Sequence, residues 1–230
     1  MTKLQLHGGQ HGWLQTGLNA QANEWIICRA DGQINFASWS WYRGPDGRDE
    51  NGQRQTADGS HPAPGMVKNA LGIAVGGWRM QGGSKAAARC PVKGPIFITH
   101  NDNITNDNGG HWNVDLRRWR PDPHKINKVI VRHNPTSTDV TVEGKFRPLP
   151  KGFKAVTTQK INRPDIHNST MTFSVLGGVK IVPDGGLSTP KTYDFRYKQS
   201  YGGHIPKHTS FYYDTFQGPV KIPNSLILWQ

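Results

Sequence analysis

Short apolar and aromatic runs, each closed by a glycine, proline or Asn/Asp turn, succeed one another along almost the whole chain. Turns at that spacing leave little room for helices, and the pattern is that of an all-β protein. Runs at 24–29, 33–42, 70–80, 95–100, 125–133, 138–147, 154–161, 171–182, 192–201, 208–216 and 221–229 predict about ten or eleven strands, with 112–119 short and ambiguous. Asp31-Gly32 reads as a hairpin turn between the first two. Alternation in the second slips near Ser38, the mark of a bulge. Only 83–90 joins helix formers to a serine cap, for at most two helical turns. The segment 44–65 has no periodicity and almost no apolar residue, and is expected to be a long surface loop. The expected architecture is a single domain over 1–230: an antiparallel β-sandwich, jelly-roll-like, with long surface loops and little helix.

Apolar residues make up only 34% of the chain, so the core must draw on its eight Trp, eight Phe and six Tyr. The N-terminus shows no apolar signal segment, and no run approaches the roughly 18 residues of a membrane helix. Synthesis in the cytoplasm and no membrane partner are expected. Cys28 and Cys90 are too few for a disulfide framework, and Cys28, in Trp25-Ile26-Ile27-Cys28, has the setting of an inert buried thiol. The apolar C-terminus, ending Leu226-Ile227-Leu228-Trp229-Gln230, is expected to dock as a strand.

Charge is unevenly placed. Residues 117–163 hold twelve Lys or Arg against three acids, nine units of the chain's net +12. The same stretch carries strand-forming residues. Period two puts Lys128, Ile130 and Arg132 on one face and Val129 and Val131 on the other, the pattern of a half-buried sheet with a cationic outer side. Such a surface attracts polyanions. The candidate contacts are Arg117, Arg118, Arg120, Lys128, Arg132, Lys145, Arg147, Lys151 and Lys154, with Trp119, Phe146 and Phe153 available to stack on bases or sugars. The segment holds no base-reading motif, so contact with nucleic acid or acidic polysaccharide would be non-specific in sequence and salt-sensitive.

Other chemistry is weakly signalled. The His7/His11 and His204/His208 pairs are interrupted by Gly or Pro, which rules out two ligands on one helix face. His100 and His111 bracket the oxygen-rich loop 101–110, where zinc or calcium is an alternative to a plain turn-forming loop. That loop departs from the EF-hand, because the third position from Asp102 is Ile104. No metal or cofactor is assigned. Nucleophile elbow, P-loop and dinucleotide motifs are absent.

The leading expectation is a non-enzymatic, self-assembling β protein, a viral or phage coat subunit holding nucleic acid on its basic sheet. The alternatives are a lectin-like carbohydrate-binding module using Trp39, Trp41, Trp78 or Trp112 as stacking platforms, and a polysaccharide lyase built on Tyr193, Arg196, Tyr197 and His204.

Overall fold

The computed structural model describes residues 2–37, 42–49, 51–120, 123–157, 169–173, 179–185, 193–215 and 217–230. Among them, every regular element is a strand except one 3-10 turn at Asn224–Leu226. No helix among the described residues is long and apolar enough to cross a membrane. The all-β expectation is met. The chain divides into two compact units, Met1–Trp119 and Arg120–Gln230, where the sequence had suggested one domain. Each unit has its own core. The junction lies inside the basic segment, between Trp119 and Arg120.

The first unit contains β1 (Thr2–His7), β2 (Leu14–Ala20), β3 (Trp25–Asn35), β4 (Tyr42–Arg43), β5 (Leu71–Val75), β6 (Trp78–Gln81), β7 (Lys85–Arg89), β8 (Gly94–His100) and β9 (Gly109–Trp119). One sheet runs β1-β9-β3, with β7 and β4 both on the far side of β3, and the other runs β2-β8-β5-β6. The antiparallel pairs nest: β1 with β9, β2 with β8, β3 with β7, β5 with β6. This is an eight-stranded jelly roll, with β4 as an addition. The two sheets close on one core, with Leu6, Ile26, Cys28, Ile34 and Trp112 from one side and Leu71, Ile73, Ile96 and Ile98 from the other. Cys28 and Cys90 are buried and unpaired, and burial pushes the Cys28 thiol well above its ordinary range.

Three local expectations are corrected. Residues 85–89 form a strand, because pairing with β3 from Trp25↔Arg89 to Arg29↔Lys85 outweighs the alanines' helical preference. Asp31-Gly32 is no hairpin turn: β3 runs through it, paired throughout with β9. Gly32 takes φ +93°, and a Cβ there would meet the His111 carbonyl at 2.6 Å, so this glycine permits close passage of two strands. The run at 70–80 is two strands split at Gly76-Gly77. The slip near Ser38 lies outside the described residues.

The second unit contains β10 (Pro123–His133), β11 (Ser137–Phe146), β12 (Phe153–Thr157), β13 (Thr170–Phe173), β14 (Val179–Pro183), β15 (Asp194–Gly202), β16 (Ser210–Thr215), β17 (Gly218–Lys221) and β18 (Ile227–Trp229). Its main sheet runs β15-β11-β10-β18, beside a β12-β14 pair and a β13-β16-β17 sheet. Val129, Val131, Val140 and Val142 are buried on one face, as the alternation required. The C-terminal strand docks parallel to β10.

Replacing Gly32 with valine forces a β-branched side chain into left-handed backbone against a carbonyl. A loss of about 2–3 kcal/mol is expected in denaturant unfolding followed by tryptophan fluorescence.

Candidate functional site

Three loops leave the jelly roll at one end. The register places the end of β1 opposite the start of β9 (His7↔His111), the end of β3 opposite Gly109, and the start of β5 opposite the end of β8 (Leu71↔His100). The described residues of segments 8–13, 44–70 and 101–108 therefore emerge together. They are tied by side chains. The Asn101 amide, fully buried, accepts from Ala63 N at 2.8 Å and donates to the Ala63 and Val67 carbonyls. Asn103 Nδ2 donates to Ser60 Oγ at 2.8 Å, and Thr99 Oγ1 donates to Gly12 O at 2.9 Å. Asp49 accepts from the backbone of Asn51 and Gln53, and Asp46 from Ser84 N. The expected long loop is present, but these bonds pack it against the sandwich.

The floor of this junction is polar. Asp58 Oδ1 lies 2.9 Å from His61 Nδ1 and also accepts from Ser60. These hydrogen bonds, first from the Ser60 side chain and backbone and then from His61, hold the Asp58 carboxyl well below the usual carboxylate range. An ionised carboxylate only accepts, so the facing Nδ1 carries the proton, and in the neutral ring Nε2 presents a lone pair to the interior. His61 Nε2 finds no partner there. Asn69 Oδ1, Asn108 Oδ1 and both ring nitrogens of His100 are likewise buried and unpartnered. Five of nine such atoms among the described residues fall at this one end, which locates the anomaly.

His100 is 1% exposed and packs edge-on against Phe36 at 5.9 Å. Burial lowers its pKa. The Asp102 charge and the backbone of Gln10 and Gly8 beside the ring oppose that shift. The Asn108 amide nitrogen sits among three oxygens, Asp102 Oδ2 at 2.8 Å, Ile104 O at 3.0 Å and Gly8 O at 3.3 Å. Turning that amide would bring Oδ1 to the same oxygens and make an oxygen set of the kind Ca²⁺ takes. Among the described residues no three or more His, Cys, Asp or Glu side chains are placed to hold a metal, and His100 and His111 do not form a zinc pair: His100 is buried while His111 stands on the sheet with His7.

The expected cationic residues are divided between the units. Arg117 and Arg118 stand on β9. Arg117 is paired with Asp115 at 3.0 Å, and Arg118 reaches Glu24 at 3.8 Å and the Asn19 carbonyl. Arg120, Arg147, Lys151, Lys128, Arg132, Lys145 and Lys154 belong to the second unit. On its main sheet Lys128 and Arg132 share the outward face, but acids stand among the cations there. Glu143 lies between Lys128 and Arg196, both at 3.2 Å. Lys145 meets Asp194 at 3.5 Å, and Lys198 meets Asp139 at 2.9 Å. Arg132 donates to the Gln230 side chain, and Lys154 on β12 pairs with Asp184 at 3.6 Å. Lys160 and Arg163, at the end of the basic run, lie outside the described residues.

The aromatic platforms are corrected. Trp119, Phe146 and Phe153 are buried in the cores, and so is Trp112, whose indole donates to the Arg43 carbonyl at 3.0 Å. Trp78 is half-buried against the jelly-roll core, while Trp39 and Trp41 lie outside the described residues. The lyase residues do not converge. Tyr197 is buried and its phenol is pushed up to about 12, whereas Arg196 points to the opposite face, toward Glu143. Tyr193 donates to the Phe153 carbonyl, and His204 stacks on His133 at 5.0 Å. Sequence reading missed Asp58, His61 and Asn69. Only the Asp-x-Ser-His run hinted at a local carboxylate–histidine turn.

No family model and no curated protein matches the sequence. A solved structure described as "EclA N-terminal domain; PllA-like lectin" is similar over 51% of this chain and 96% of its own length, at 18% identity and a TM-score of 0.39.

Because His100 holds its proton less readily folded than unfolded, the unfolded chain binds more protons below its ordinary value of 6.5. Stability is full above that pH and falls as pH drops through it. Thermal midpoints across this range should show the fall, and His100→Gln should flatten it. Glu143→Gln releases Lys128 and Arg196 together. If the basic sheet contacts polyanions, elution from heparin should move to higher salt, and an unchanged position excludes that sheet.

Proposed function

We propose that this chain is a non-enzymatic carbohydrate-binding protein whose site is the loop end of its N-terminal jelly roll. The observation that carries the reading is the gathering of unpartnered buried polar atoms at His61, Asn69, His100 and Asn108. Each such atom costs about 1–3 kcal/mol when left without a partner. A concentration of them beneath three converging loops is best explained by a ligand, ordered water or an ion that completes the bonds. Imidazole, amide, carboxylate and backbone carbonyl groups offer donors and acceptors together, which suits a molecule rich in hydroxyls. Tyr42, 60% exposed on β4 at the same end, supplies a flat apolar face of the sort sugar rings cover.

The oxygens around Asn108 support a calcium-assisted form of the same site. Sugar binding is expected to strengthen with millimolar Ca²⁺ and to weaken on chelation. The test is a glycan array followed by calorimetry. Asp102→Asn removes the charge from the oxygen set and should weaken binding about tenfold or more, while the thermal midpoint reports retained folding. Absence of binding to any neutral or acidic glycan, with and without Ca²⁺, would reject the reading.

A coat-subunit role is the second reading. Jelly rolls serve viral coats as well as lectins, so the topology favours neither. It requires self-association, and light scattering that finds only monomer excludes it.

A further inference from the structure

The outward face of the β1-β9-β3-β7 sheet carries a second polar surface, unrelated to the loop end. Register aligns its side chains in rows. Lys3, Asp115, Arg29 and Lys85 lie side by side across the four strands, and Gln5, Asn113 and Asp31 form the next row. These two rows line a cavity of about 660 Å³.

Its charges are unequally satisfied. Asp115 is held by a two-pronged contact from Arg117, Nε to Oδ1 at 3.3 Å and Nη2 to Oδ2 at 3.0 Å. Asp31 accepts from Asn113 Nδ2 at 2.9 Å. Among the described residues, Lys3, Arg29 and Lys85 make no ion pair and no side-chain hydrogen bond. The contrast with the second unit is plain, since Lys128, Lys145, Arg196 and Lys198 there each face a carboxylate. Three cations with unused donors thus border a cavity whose acids are already engaged.

We infer that this face is a binding site for an acidic oligosaccharide bearing uronate groups. Arg29, flanked by Lys85, offers its planar donors to a carboxylate, and Lys3 takes a second charge two strands away. The Gln5 amide nitrogen already reaches His111 and Asn113, which leaves its oxygen and the remaining Asp31 oxygen to accept from hydroxyls between the charges. A nucleic-acid strand fits less well. None of the side chains lining the cavity is aromatic, so its bases would find no platform to stack on.

The test uses the whole protein with oligogalacturonate, neutral maltotetraose and a single-stranded oligonucleotide as probes. In lysine acetylation read by mass spectrometry, saturating oligogalacturonate should protect Lys3 and Lys85 and leave Lys198 unprotected. In calorimetry, the Arg29→Gln/Lys85→Gln double variant should lose oligogalacturonate affinity at least about tenfold. The charge-matched Arg196→Gln/Lys198→Gln variant should keep it. Unchanged acetylation of Lys3 and Lys85 overturns the inference without recourse to any variant. So does equal loss in both double variants, or equal protection by maltotetraose or by the oligonucleotide.

Discussion

Pairing of the first strand with the last closes the N-terminal unit, and every functional feature of that unit follows from it. With β1 on β9, the inner pairs fall into nested order and two sheets share one core. Closure also decides which loops meet. The segments after β1, before β5 and between β8 and β9 have no reason to associate in an open chain. Once the strands are in register they share one end, and the Asn101 amide joins two of them from a fully buried position. Loops built on so fixed a base can hold polar groups at depth, which loose loops cannot.

Satisfied and unsatisfied polar groups then separate the surfaces of the molecule. On the main sheet of the second unit, cross-strand neighbours alternate in sign and neutralise one another at short range. Exposed pairs of that kind contribute little to stability and leave little field to attract a partner. At the loop end of the first unit the balance is reversed. Imidazole and amide atoms are buried without partners, a cost that folding alone does not recover. The outer sheet face is a third case, with acids engaged and three cations left open.

Much of the fold could be read in advance. Lys128, Ile130 and Arg132 stand on the face opposite Val129 and Val131 because side chains alternate across a strand wherever it pairs. The C-terminal strand docks on β10 as its apolar run suggested, although Leu228 stays 45% exposed, so backbone pairing holds it more than burial does. The errors were errors of partner. Residues 85–89 carry alanines that favour a helix, yet β3 offers a row of backbone donors and acceptors that they complete. Asp31-Gly32 has the composition of a turn, yet β9 runs alongside it and the glycine serves close approach. Buried Trp112, Trp119, Phe146 and Phe153 illustrate the same point, since an aromatic residue gives no sign of which side of a sheet will be covered.

Local chemistry, carried in the order of residues, determined that this chain would be β, where most strands would lie, which faces would alternate, and that its cations would cluster. These properties depend on neighbours one to four positions away. Tertiary structure alone decided the division into two units, the pairing of the cations with acids such as Glu143, and the meeting of His61, Asn69, His100 and Asn108. Those residues are separated by up to 47 positions, and whether a distant group arrives as a partner or leaves an atom unpartnered is settled only when the strands close.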